Sequence, residues 1–203
     1  MGRNTKITAI AGIALTVLVG CGSDEQEETV VDLSAAPEQI SWVDVHGVQL
    51  PVSDAHGPEQ HNLAGGVGVQ GFEQSPQGAC LAAMNHPLRA VAASDQSWGE
   101  AARLAFAPGA GRDIYSVNRA QISIDGFDAE AIPTMRGCLI AQDYSAEQAT
   151  VEVFTQYPDD SLAQNTYDMT WSGQDWQIVL PESGQGQVVA IEELPQAMLE
   201  VTP

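Results

Sequence analysis

The sequence has almost no positive charge. Seven lysines and arginines stand against 27 aspartates and glutamates in 203 residues, a formal net charge of −20. Lysine is absent after Lys6, so from Cys21 onward five arginines face all 27 carboxylates, for a net charge of −22. Such a surface repels phosphate backbones and anionic headgroups, which argues against nucleic acid as a partner. Dispersed carboxylates also keep an exported protein soluble. Long apolar runs are missing as well. The longest, residues 7–19, has thirteen residues, short of the roughly 20 that span a bilayer core. Catalytic spacings are missing too, because no nucleophile elbow, SxxK or HExxH pattern occurs. No catalytic residue, cofactor or metal is assigned.

What is present begins with an address. Arg3 and Lys6 form a positive n-region ahead of the apolar run, which fits a signal h-region. The run ends in Leu18-Val19-Gly20-Cys21, which resembles the lipobox of bacterial lipoproteins. That resemblance implies cleavage before Cys21 and a diacylglyceryl thioether on it, an anchor whose acyl chains contribute about 0.8 kcal/mol per buried CH₂. The alternative is an ordinary signal peptide with a cysteine near its cleavage site. On the first reading residues 1–20 are a lipoprotein signal peptide. Residues 21–39, rich in acidic side chains and poor in anything to bury, are a disordered tether. The body would then be held at the cell membrane, facing the extracytoplasmic side.

Residues 40–182 carry the patterns of a single α+β domain, and 183–203 read as a polar C-terminal tail with a weak strand at Val188 to Ile191. Residues 40–51 alternate around His46-Gly47 as a short hairpin. Gly66, Gly68 and Gly71 match G-x-G-x-x-G in spacing only. Pro76 follows too soon for a βαβ unit, so a bent edge strand is preferred to dinucleotide binding. Ser75-Pro76 starts a helix with Cys80, Met84, Leu88 and Val91 on one face. Pro87 is expected to kink or split it near His86. Ser97-x-x-Glu100 fits a capping box for a second helix, which Pro108-Gly109 ends, and residues 113–121 suggest a third. Residues 135–180 then alternate with period two as three or four strands of an antiparallel meander, with Ser172-Gly173-Gln174-Asp175 as a hairpin loop.

The expected fold is therefore two to three N-terminal helices packed on a curved antiparallel β-meander, preceded by a short β-hairpin. That layout is similar to the cone-shaped nuclear-transport-factor-2-like superfold. Several phrases resemble a family of actinobacterial proteins associated with conjugative elements. They are Trp42 with Gly47, Leu50-Pro51 and Gly57-Pro58; Gly71-Phe72 with Ser75-Pro76-Gln77-Gly78-Ala79 and Ala82-Ala83; and Arg136-Gly137, Asp143-Tyr144, Ala149 and residues 171–176. The family resembles extracytoplasmic scaffold subunits of type IV secretion machines, which implies protein partners and no chemistry. The chain departs from it at Cys80, Cys138 and the lipobox.

Three constellations remain. Cys80 and Cys138 are the thiols left after lipidation of Cys21, and an oxidising compartment favours a disulfide between helix and sheet. Two separately buried free thiols are the alternative. His46, His56 and His61 with Asp54 and Glu59 match no zinc spacing and read as loop residues. Tyr115, Asp143, Tyr167 and Asp168 could line a pocket in a cone-shaped fold. The function expected is a non-catalytic, membrane-anchored interaction or scaffold lipoprotein, a component or accessory of a conjugative transfer or secretion assembly. The alternatives are a lipid-tethered small-ligand-binding protein and an isomerase- or dehydratase-type enzyme. The sequence does not set an oligomeric state.

Overall fold

The computed structural model describes residues 31–124, 128–184 and 186–201. The signal segment, Cys21 and most of the tether lie outside the described residues.

Two small hairpins come first. Strands β1 (Ile40–Val45) and β2 (Val48–Ser53) pair antiparallel and turn at His46-Gly47. Both turn residues have positive φ, 55° and 91°, the twist a tight hairpin needs. Asp44 Oδ1 accepts the Gly47 N–H at 3.1 Å. Strands β3 (Gln60–Leu63) and β4 (Gly68–Gln70) flank a 3₁₀ turn at Ala64–Gly66. Gly68 has no room for a side chain there, since a Cβ would lie 2.8 Å from Leu104.

Three helices follow, α1 (Pro76–Ala92), α2 (Trp98–Ala105) and α3 (Ala110–Arg119). Ser75 caps α1 by accepting the Gly78 N–H at 3.1 Å, with Pro76 at the first helical position. Helix α1 is apolar nearly all round and is buried from Pro76 to His86, as an interior helix must be. Pro87 does not split it. Asn85 donates to the Pro51 and Leu81 carbonyls, His86 bonds the Trp176 carbonyl, and Arg89 bonds Asn85 and the Val67 carbonyl. These anchors on both sides of Pro87 offset a cost of about 3 kcal/mol for an interior proline. The Ser97 hydroxyl, by contrast, makes no cap bond to α2 and meets Ser94 Oγ at 3.0 Å.

The main sheet is antiparallel and six-stranded: β5 (Thr134–Ile140), β6 (Gln148–Gln156), β7 (Leu162–Trp171), β8 (Trp176–Val179), β9 (Gln187–Ile191) and β10 (Leu199–Glu200). Val151 and Val153, with Ala149 on the same face of β6, pack with Cys80, Met84, Met169 and Ile178 in the larger core cluster. Cys80 on α1 and Cys138 on β5 are joined by a disulfide, Cα atoms 6.1 Å apart.

One edge of β7 is shared by two strands. Asp168 faces Val179 of β8, while Thr166 faces Gln187 of β9. Two steps along β7 therefore correspond to eight along the opposing chain, and six residues are surplus to the pairing. The chain leaves the sheet between Val179 and Gln187 and rejoins it in line.

This arrangement corrects the expected fold. The helices do not lead the domain, because four strands precede them. Helix α1 is not laid across one concave face; it is enclosed, touching β2, β4 and α2 as well as β5, β6 and β8. The sheet is no simple meander, since β9 joins β7 and β10 crosses back to pair with β5 at the far side. Both extra strands come from residues expected to be tail, and Leu199 and Val201 are core residues. The cone-shaped nuclear-transport-factor-2-like layout is accordingly not the architecture. Short strands that gain their order from partners elsewhere in the chain leave little periodicity to read.

Candidate functional site

Two groups of polar side chains and one apolar cavity stand out. The first group is interior. Asp175 closes the β7–β8 hairpin and is 2 % exposed. Its carboxylate accepts the backbone N–H groups of Gly71 at 3.1 Å, Phe72 at 3.0 Å and Trp176 at 2.9 Å. Trp176, fully buried, donates its indole N–H to the Glu73 carbonyl at 2.9 Å. Its own carbonyl lies 2.9 Å from His86 Nε2. Phe72 packs edge-on against the His86 ring, centroids 5.3 Å apart. The hairpin is thus sewn to the β4–α1 loop and to α1. Burial pushes the Asp175 carboxyl up to about 6 against the pull of its three donors. Burial likewise pushes His86 down to about 4, with the Arg89 charge adding to the shift. A neutral imidazole donating to a carbonyl fits that environment. The Asp175 carboxylate, the Trp176 indole N–H and His86 Nε2 are all engaged by backbone, so the group is a fastening.

The second group sits at the rim. His56 Nδ1 lies 2.6 Å from Glu73 Oε2, which also accepts the Ser75 hydroxyl at 2.7 Å. The His56 hydrogen bond, and to a lesser extent that from Ser75, hold the Glu73 carboxyl below its usual range. His56 and Glu73, with Glu59 and His61, line an open hollow of about 600 Å³. Ser75 points at the carboxylate rather than at the imidazole, and serves as the α1 cap, so no nucleophile–base pair forms. Of the histidine constellation read from the sequence, His56, His61, Asp54 and Glu59 reach this hollow, while His46 stands in the β1–β2 turn. Among the described residues no three such side chains are placed to share a metal ion.

The apolar cavity, about 370 Å³, opens where β8 and β9 part along β7. Helix α3 contributes Ile114 and Tyr115, β7 gives Tyr167 and Asp168, and β8 with the chain that leaves it gives Val179 and Leu180. Gly111 lets α3 approach closely, since a Cβ there would collide with the Leu180 carbonyl. Burial raises Tyr115, and raises Tyr167 to about 12, so both phenols stay protonated. Ile122 and Val179 on the walls are more than two-fifths exposed, as are Val188 and Val189 on β9. Tyr115, Tyr167 and Asp168, grouped from the sequence, do meet here; Asp143 does not, and lines a separate hollow with Ala107, Trp171 and Asp168.

A family model, described as a domain of unknown function (DUF8175), matches residues 18–197. The chain belongs to that family. No curated protein and no solved structure matches it. The DUF8175 match spans both hairpins, all three helices and the sheet as far as β9. The structure thus supplies what the family's description does not, a fastening built on Asp175 and a cavity under α3. Neither Asp175 nor His86 was legible as special. An aspartate in a Ser-Gly-Gln-Asp turn carries the signature of a solvated loop residue, and its partners lie 103 and 104 positions earlier. Among the described residues no helix is long and apolar enough to cross a membrane. Cys21 lies outside them.

Proposed function

We propose that this chain is a non-catalytic interaction module, held by a lipid on Cys21 at the extracytoplasmic face of the cell membrane. In this reading it works as a component or accessory of a conjugative transfer or secretion assembly. The observation that carries the interaction role is the distribution of side chains. Of the buried ionisable groups, Asp175 and His86 are consumed by backbone hydrogen bonds, while Arg89 bonds Asn85 and the Val67 carbonyl and Arg119 bonds Asp95 and the Ala93 carbonyl. Apolar side chains are exposed instead around α3, β8 and β9, at Ile114, Ile122, Val179, Val188 and Val189. Clustered exposed apolar surface on an otherwise acidic body marks a contact site. The assembly itself is suggested by the resemblance of residues 40–182 to conjugation-associated proteins, and the membrane by Leu18-Val19-Gly20-Cys21. Tethering raises the effective concentration toward membrane neighbours, so a weak contact suffices.

The cavity under α3 favours a second reading, a tethered protein that binds a small apolar ligand, since its walls are largely apolar with a few polar groups. Two measurements test the first. A fatty-acid probe labels the wild type and not Cys21→Ser. Crosslinking in intact cells recovers transfer or secretion proteins with the wild type, and recovery falls with Cys21→Ser. Equal labelling of both proteins ends the lipid anchor. Turnover of a small molecule by the purified chain ends the non-catalytic reading.

A further inference from the structure

The two ends of the split in the main sheet are finished differently. The outer edge of β8 is covered. Ala107 donates its N–H to the Ile178 carbonyl at 2.9 Å, Phe106 bridges to Ile178, and the Gln177 amide bonds the Arg103 and Leu104 carbonyls. The outer edge of β9 is not. Among the described residues its backbone pairs with β7 alone. Gln187 to Ala190 are exposed on both faces, Val188 at 57 % and Val189 at 59 %. Proteins commonly guard such an edge with lysine, proline or an inward charge. Gln-Val-Val-Ala-Ile has none of these.

The surroundings say what would suit this edge. Glu182 precedes β9 and Glu192-Glu193 follows it, all in a chain of net charge −20. A second copy would bring the same excess of negative charge and be repelled. The apolar cavity lies at the start of β9, with Gly186 and Gln187 on its wall. A strand laid along β9 and continuing past Gln187 arrives at the cavity mouth.

We propose that β9 is the docking edge of this module for an extended, apolar segment of a partner protein with basic flanks, one large apolar side chain of which enters the cavity between α3 and β8. The segment adds to the sheet as a further strand. Main-chain hydrogen bonds along β9 supply affinity, the cavity selects the anchor side chain, and the glutamates at the two ends select basic flanks. The inference rests on the interaction-module reading and names its partner chemistry.

The test uses the full chain solubilised in detergent and fluorescent synthetic peptides, read by anisotropy. The parent peptide alternates valine and threonine, carries one phenylalanine near an end, and has arginines at both ends. Two further peptides are N-methylated on alternate amides, one on each edge of the strand. A strand pairs through one edge, so one methylated peptide binds about tenfold or more weakly while the other binds like the parent. Replacing the arginines by glutamates weakens binding, and added salt weakens that of the parent. Val188→Lys with Val189→Lys, both at exposed positions, abolishes binding without lowering the melting temperature. No saturable binding of the parent, or equal binding of both methylated peptides, overturns strand addition. Equal binding of the glutamate peptide overturns the charge rule. Crosslinking in cells separates the two proposals. If the doubly substituted protein still recovers transfer or secretion proteins, the module reading stands and β9 is not its contact. If the wild type recovers none, the module reading itself fails.

Discussion

Asp175 and Phe72 are joined by a hydrogen bond of 3.0 Å from the Phe72 N–H to the Asp175 carboxylate, across 103 positions of sequence. The same carboxylate takes the N–H groups of Gly71 and Trp176. One side chain therefore satisfies three backbone donors where the sheet meets the segment entering α1. Replacing it by alanine strands all three, two of them buried and that of Gly71 part-buried. Orphaned buried groups cost about 1–3 kcal/mol each, so Asp175→Ala loses at least about 2 kcal/mol. Asp175→Asn, which keeps one acceptor oxygen, loses less. Urea denaturation of both variants measures the difference, and equal stability of Asp175→Ala and wild type would refute the fastening role.

The pH dependence of stability contains two opposed contributions from the same cluster. Asp175 has its folded value raised, from 3.8 to about 6. Its contribution is complete below the unfolded value and is lost as pH rises through about 6. His86 has its folded value lowered, from 6.5 to about 4. Its contribution is complete above 6.5 and is lost as pH falls toward 4. The windows overlap, so the wild type shows little slope from this cluster between them. Stability of Asp175→Asn then falls more steeply than that of the wild type as pH drops from 6.5 to 4, and that of His86→Gln falls as pH rises. Thermal melts across that range check both signs. A wild type whose slope matches either variant's would count against the opposed pair.

Much of this fastening could not be read in advance. The alternation of β6 and β8 and the paired turn at His46-Gly47 are local, because each rests on residues within a few positions of one another. Ser75-Pro76 at the head of α1 is local too. Asp175 and His86 are special only through partners that the fold brings to them. The same holds for Pro87, whose helix survives because neighbours on both sides are anchored. Strand β9 shows in the sequence only as a weak run at Val188 to Ile191, because it is exposed on both faces, and β10, with two residues, leaves no pattern at all.

The Cys80–Cys138 bridge closes a separation of 58 residues between α1 and β5. In the chain-entropy model a loop of that size stabilises by about 4 kcal/mol. Substituting both cysteines by alanine should lower the denaturation midpoint by a corresponding amount while leaving the far-ultraviolet dichroism unchanged. A midpoint insensitive to reductant in the wild type would rule the contribution out.

Gly111 is the close-approach point of α3. A methyl group there collides with the Leu180 carbonyl, so Gly111→Ala must move the helix or the chain leaving β8. Overpacking of this kind costs about 1–3 kcal/mol, and it reshapes the cavity wall. The expected outcome is a lower melting temperature together with altered binding of an apolar fluorescent dye. Unchanged values of both would show that α3 is not seated as described.

The departure of the chain from the sheet between Val179 and Gln187 has a consequence for how members of the family can diverge. Because β7 sets the register of β8 and β9 separately, residues can be inserted or deleted around Pro181 to Gly184 without turning any strand residue to the opposite face, whether their number is odd or even. Within a strand, by contrast, a single-residue change of length turns every residue beyond it to the opposite face. Length variation in DUF8175 sequences is thus expected to concentrate here. Since this stretch also walls the cavity, such changes would alter which side chain fits it while leaving the framework untouched.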